Sequence, residues 1–448
     1  MVNHKKLSMA VAGACALFGA SAANAFGPIK AGDWDLSVGG EVNAFYSYTH
    51  CDNNANSIKQ IVGVACTTTN TNNVSSIESG LLPSALVFSA KTTQEGFDIG
   101  VTFGFYPGIN NGGQVGGANS PGANIALGST GIDMRQNFLT FGDKEMGTIK
   151  MGRDLGLFGS DAILSDMTLL GVGTNQAAVA PGNTTLGRIG VGYIYADWIP
   201  QITYISTNSM GGVSGLQGSI GIFQPLMMIS IDGGTVTNHS LPAFQAKATY
   251  DYDFGDVKGR AWVGGVWQRS MRAAGENSSP ATVGIVGGVP AVIPASTSAL
   301  DTTNQGVTAY AGEVGVKASV AGFSGVLYVY QGRGVGTTGL FFDGIDALGN
   351  KRNSNGGYAQ LQYQMGKWKP GISYGFSRLA TASGESPATN PTLVNFNRSA
   401  VAQLQYSLTK ALTLVGEYAI TKTSSQLSTG GGGKNLETSI SAGAILFF

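Results

Sequence analysis

The sequence predicts an all-β protein: a transmembrane antiparallel β-barrel of 16 strands, with short periplasmic turns and long extracellular loops. Three observations carry this expectation: an export signal ahead of the body, a hydrophobic period of two within it, and turns that alternate short and long. Composition removes the competing classes. Of 448 residues, 68 are Gly and 12% are charged, against usual shares of about 7% and about 25%, which is a poor fit to an ordinary cytosolic enzyme. The 43% apolar content, with 20 Phe, 16 Tyr and 5 Trp, exceeds what disordered chains carry. The glycines follow no three-residue period, which excludes collagen. Lys and Arg number 26 against 26 Asp and Glu, so no basic footprint for nucleic acid exists.

Residues 1–25 read as a secretory signal. Lys5 and Lys6 form the charged start, Leu7 to Ala20 the apolar stretch, and Ala23-Asn24-Ala25 the small-x-small cleavage site. The apolar stretch falls short of the roughly 20 residues a membrane helix needs. One mature domain is therefore expected over residues 26–448. Cleavage removes two lysines and no acid, leaving a net charge of about −2. It also removes Cys15, so that Cys51 and Cys66 remain. In an oxidising compartment these two are expected to pair, which would contribute about 3 kcal/mol by loop closure. A metal site would want more ligands than the neighbouring His50 supplies.

After the signal, apolar and polar residues alternate. In 33–48 one face reads Trp34, Leu36, Val38, Gly40, Val42, Ala44, Tyr46 and Tyr48. The other face reads Asp35, Ser37, Gly39, Glu41, Asn43, Phe45 and Ser47. The stretches 244–252, 358–365 and 402–408 split in the same way, with Gln245, Lys247, Gln360, Gln362, Gln403 and Gln405 on their polar faces. Side chains on a strand alternate sides. The pattern fits a soluble sheet with its apolar face on a core, or a barrel with that face on lipid and the other on a wet lumen. Small apolar-face residues, aromatic strand ends and the turn pattern favour the barrel.

Short connections are expected near 94–96, 143–146, 208–211, 253–256, 321–322, 366–367 and 408–410. Long Gly/Asn/Ser/Thr-rich stretches lie near 49–79, 107–131, 154–197, 225–241, 269–306, 332–356, 380–396 and 423–434. Seven turns and eight loops join 16 strands, with both termini on the short-turn side. The segments 190–195 and 227–231 also look strand-like; taken as spans they would raise the count to 18, but both are assigned to loops. Closure is what lets strands cross lipid without unpaired backbone groups.

The last strand, 436–448, ends on the aromatic Phe448, as expected of a signal read by the outer-membrane assembly machinery. Met134-Arg135-Gln136-Asn137-Phe138-Leu139-Thr140-Phe141-Gly142 is followed by Met146-Gly147-Thr148-Ile149-Lys150-Met151-Gly152-Arg153. This hairpin resembles the one that precedes the long third loop in the general porins of Gram-negative bacteria. Gln201-Ile202-Thr203-Tyr204 and Met210-Gly211-Gly212-Val213-Ser214-Gly215 resemble the strand and turn after that loop. The resemblance implies an outer-membrane homotrimer in contact with lipid and lipopolysaccharide, passing small hydrophilic solutes without a cofactor. The chain departs from the family in its longer loops near 269–306 and 332–356, and in lacking the Pro-Glu-Phe-Gly-Gly type motif of enteric members.

A 16-stranded barrel encloses an aqueous channel, and the resemblance folds 154–200 into it. That loop carries Asp154, Asp161 and Asp166. Facing charges are Arg135 and Lys150 on the preceding hairpin, with Arg153 and Arg188 at the two ends of the loop. Opposed acids and bases would set a transverse field across a constriction. Glu313, Lys317, Arg260 and Glu417 are further lumen candidates. No catalytic or metal residue is assigned. Gly371-Ile372-Ser373-Tyr374-Gly375 matches a nucleophile elbow but continues as an alternating strand. Gly334-Val335-Gly336-Thr337-Thr338-Gly339 lacks the βαβ context of a dinucleotide loop. The competing readings are a substrate-specific channel of 18 strands for a carboxylate or sugar, an outer-membrane hydrolase, which the histidine shortage disfavours, and an adhesin, which would show a fixed repeat.

Overall fold

The computed structural model describes residues 29–52, 58–62, 64, 72–109, 132–175, 184–233, 235–271, 282–286, 289–293, 306–427 and 433–448. Sixteen antiparallel strands form the wall. They are β1 (Trp34–Asp52), β2 (Ala85–Gln94), β3 (Phe97–Pro107), β4 (Ile132–Asp143), β5 (Gly147–Leu155), β6 (Trp198–Ile205), β7 (Leu216–Phe223) and β8 (Ala243–Asp253). They continue as β9 (Lys258–Met271), β10 (Gly306–Val320), β11 (Phe323–Arg333), β12 (Asn353–Tyr363), β13 (Trp368–Leu379), β14 (Val394–Ser407), β15 (Leu412–Ser425) and β16 (Lys434–Phe447). Each pairs with its sequence neighbour, and β1 closes on β16 from Glu41↔Phe447 to Asp52↔Leu436. Phe448 completes the seam through mutual backbone bonds with Gly40 of 2.9 and 3.1 Å.

The burial pattern decides between the two readings of period two. Val42 and Tyr46 are 54% and 51% exposed, whereas Glu41, Asn43 and Ser47 are fully buried or nearly so. Leu361 and Leu404 likewise face out while Gln360 and Gln403 face in. A soluble sheet would bury the apolar face; here it is the outer surface, as lipid requires. Rings pair at the short-turn end, Phe323 with Tyr363 and Trp368 with Tyr406, each at 4.4 Å, forming part of an interfacial girdle.

All seven expected short turns and all eight long loops fall between the strands as read. The tightest turns put both central residues at positive φ, Glu95-Gly96 and Ala321-Gly322, matching the twist of their hairpins. The strand-like segments near 190 and 228 do not span. Met228–Ile229 pairs with Thr235–Val236 as a separate two-stranded sheet, Ile229 makes an isolated bridge to Phe342, and Ile189 makes one to Tyr193.

Two short strands, Ile29–Ala31 and Asn73–Glu78, add to the wall. The second takes over from β2 as the partner of β1 above Glu41. Between it and β2 the chain leaves the ladder, and Asn43 satisfies the freed backbone: its Oδ1 accepts Gly80 N at 2.9 Å and its Nδ2 donates to Leu82 O at 2.7 Å. A Cβ on Gly80 would stand 2.2 Å from Gly171 O, so only glycine permits this contact with the third loop.

Candidate functional site: the third loop and the wall it follows

Between β5 and β6 the chain turns inward through α1 (Ser160–Ser165) and a 3-10 turn, Met167–Leu170. Gly159 takes the left-handed conformation at the start of α1, and the Asp166 side chain caps the 3-10 turn on Thr168 N. The loop then follows the inner wall, and successive strands hold its backbone. Gln245 on β8 accepts Leu157 N and Phe158 N at 2.7 and 2.9 Å, and Glu313 on β10 accepts Gly159 N at 2.9 Å. From β12, Tyr358 donates to Ala162 O at 2.7 Å, and Gln360 both accepts Met167 N and donates to Ser165 O. Gln403 on β14 donates to Met167 O at 3.0 Å. Glu417 on β15 accepts Val172 N and Gly173 N at 2.6 and 2.9 Å, and Glu437 on β16 accepts Asn175 N at 3.2 Å. A buried backbone N–H must find a partner; here the lumen-facing carboxylates and carboxamides provide it.

The return limb, 184–197, packs Leu186, Ile189, Val191, Tyr193 and Ile194 against the wall residues Trp262, Tyr328 and Tyr358. These aromatics form a chain, Trp262–Tyr328 at 6.3 Å, Tyr328–Tyr358 at 5.7 Å and Tyr358–Tyr193 at 5.9 Å. Alternation alone predicts no aromatic row in the lumen. The row exists, and the third loop covers it.

The expected site residues separate into three groups. In the first, Lys150 pairs with Asp154 at 2.5 Å. Asp161 takes Lys247 of β8 at 2.6 Å and Arg260 of β9 at 3.2 Å, while Arg260 also holds Asp251. Burial works to raise the Asp161 carboxyl, but Lys247 and Arg260 outweigh it and hold it below its ordinary value. Lys317, paired in register with Arg260, is exposed to the lumen, and Lys369 of β13 lies half-buried beyond it.

In the second group, Asp166 and Arg188 are buried. Asp166 accepts bonds from Thr168 and, at 2.9 Å, from Tyr193, and burial raises its carboxyl while Arg188 opposes that. Arg188 is 0% exposed; its Nε donates to Ser373 Oγ at 2.6 Å and its Nη1 to Ser399 O at 3.1 Å. Ser373, the centre of the apparent nucleophile elbow, thus lies inside β13 and receives this arginine. In the third group, at the long-loop end of the hairpin, Arg135 pairs with Asp133 at 2.7 Å and lies over the Tyr106 ring. Arg153 follows the positive-φ Gly152, remains exposed and donates to Trp198 O at 2.8 Å.

Sequence reasoning did not single out Lys247, Asp251, Gln245, Gln360, Gln403 or Glu437. All occupy the polar face of their strands, but alternation shows the face, not whether water or folded chain meets it. Cys51 is disulfide-bonded; Cys66 and the signal, 1–25, lie outside the described residues. Among the described residues, no group of His, Cys, Asp and Glu is arranged to hold a metal ion.

The fold has counterparts of known structure. The outer membrane channel DcaP of Acinetobacter baumannii superposes with a TM-score of 0.64 at 14% identity, over 94% of this chain and all of that one. OmpF of Salmonella typhi, solved in complex with daunomycin, gives a TM-score of 0.51 at 15% identity, over 94% of this chain and all of that one. No curated protein matches the sequence. The model of the family described as Gram-negative porin matches residues 9–426, and with its closed 16-stranded barrel and inward third loop the chain belongs to that family, as an outer-membrane channel protein.

Proposed function

We propose that the protein is a passive, energy-independent channel for small hydrophilic solutes and ions, exported by removal of residues 1–25 and assembled as a homotrimer. The observation that carries this reading is the third loop clamped by Gln245, Glu313, Gln360, Gln403, Glu417 and Glu437 around the inner wall. A loop held at so many points supports a fixed constriction, which sieves by size. Its charge bias would come from Asp161 against Lys247, Arg260, Lys317 and Lys369. In that group the bases outnumber Asp161 and Asp251, so the field favours anions.

Planar-bilayer recording of the purified mature protein under a KCl gradient tests the proposal. Openings in groups of three, with a reversal potential on the chloride side, are expected. No conductance from folded protein would sink the transport reading, and a potential on the potassium side would sink the assigned charge bias. A second reading, a channel with a preferred organic solute, is favoured by an apolar cavity on the long-loop side.

A further inference from the structure

On the long-loop side, the third loop lines a partly open cavity of about 490 Å³ together with the segment between β1 and β2, the loop after β7 and the loop after β11. This lies within the size range of small-ligand sites, about 300–1,000 Å³. Leu164, Leu169, Leu226, Leu340 and Phe342 are among its lining, and all of these but Leu340 are only half-buried. A path for hydrophilic solutes has no use for a leucine-lined chamber, since water there gains few partners.

One end of the chamber is polar, with Asp133, Arg135, Arg153 and Asp197. The acids at that end are engaged: Asp133 holds Arg135 at 2.7 Å, and Asp197 accepts Trp198 N at 2.7 Å. Arg153, an exposed residue, gives one N–H to Trp198 O at 2.8 Å and acts on the nearby Asp197 carboxylate through its charge. Its remaining donors match a carboxylate, which a guanidinium can bind through two parallel bonds.

We propose that this cavity is a binding site for a small monocarboxylate with an apolar body, the carboxylate on Arg153 and the body among Leu164, Leu169, Leu226 and Phe342. The site lies in the vestibule of the channel and captures such solutes ahead of the constriction. It deepens the transport reading and rests on it only for the direction of passage.

The test is calorimetric titration of the full mature chain in lipid nanodiscs with acetate, butyrate, hexanoate and the neutral hexanamide, with salt conductance recorded in parallel. Each added methylene is expected to tighten binding about fourfold, so hexanoate should bind about fifteenfold more tightly than butyrate. Arg153→Gln is expected to bring hexanoate down to the affinity of hexanamide, and Arg153→Lys to restore part of the difference. Leu226→Gln should flatten the dependence on length. Equal affinity along the series, or hexanamide binding as well as hexanoate to the wild type, overturns the proposal. Conductance without length-dependent binding sinks the cavity and leaves the channel, whereas binding without conductance does the reverse.

Discussion

Asp161 and Asp166 stand on the same loop, one turn of helix apart, and have opposite surroundings. Asp161 is held by Lys247 and Arg260, and Arg260 is still 42% exposed by side chain. Asp166 is enclosed with Thr168 and Tyr193, and the arginine acting on it, Arg188, is 0% exposed. In the proposed channel the first group borders the lumen and would bias passing ions. The second braces the return limb against β13 and β14, where a charge has structural weight and little contact with solute. A list of loop charges mixes these two roles; the two aspartates are equally buried, at 4% each, and it is the exposure of their arginine partners that separates them.

The largest expected effect comes from breaking the buried group. Arg188→Ala leaves Asp166 enclosed without its opposing charge and removes the bonds to Ser373 and Ser399. A loss of about 3–5 kcal/mol is expected, seen as a lower urea midpoint. Arg260→Gln should cost about 1 kcal/mol or less, and equal losses for the two variants would erase the distinction. Next is Glu417→Ala, which strips the acceptor from Val172 N and Gly173 N. About 1–3 kcal/mol is expected, together with protease cleavage within the third loop that the wild type resists.

Asp161→Asn has a smaller energy but a readable output. Removing one charge about 7 Å from an ion path changes its energy by about 0.6 kcal/mol in a watery lumen. Chloride is favoured and potassium disfavoured by that amount each, so the chloride-to-potassium permeability ratio should rise about sevenfold, measured by reversal potential. Asp166→Asn should leave that ratio unchanged, and a comparable shift there would place Asp166 at the lumen after all.

The last effect is confined to acid pH and concerns the long-loop mouth. Arg352, 0% exposed, holds Asp232 and, at 2.5 Å, Glu385, joining the loops after β7, β11 and β13. Although burial works against it, Arg352 and Ala382 N pull the Glu385 carboxyl from 4.5 down to about 2. Because the folded-state value is depressed, this pair stabilises the mouth fully above about pH 4.5 and loses that contribution as pH falls toward 2. Cleavage of these loops by an acid-stable protease should increase over that window, and Glu385→Gln should flatten the change.

Much of the wall is legible in the sequence because its determinants are local. Gly96 and Gly322 mark short breaks between alternating stretches, and the alternation around Val42 or Leu361 permits only one facing once lipid is the outer medium. The break at Gly80 is not legible, since it depends on Asn43 reaching across from another strand. The site is legible by facing and illegible by role. Gln360 and Gln403 read correctly as inward, but their bonds go to Met167, more than 190 residues away in sequence. Arg188 reads as a loop charge because nothing near it in sequence announces Ser373 or Ser399. Long-range contacts of this kind leave no period.

The central claim is that wall carboxylates hold the third loop as the constriction. Single-channel recording of the Glu313→Ala/Glu417→Ala/Glu437→Ala variant beside the wild type tests it most directly, with the β-sheet content of both verified by circular dichroism. Released from three of its clamps, the loop should give a larger conductance with open-channel flicker and admit larger sugars. A variant that folds and conducts with the wild-type amplitude, noise and size cut-off would contradict the claim.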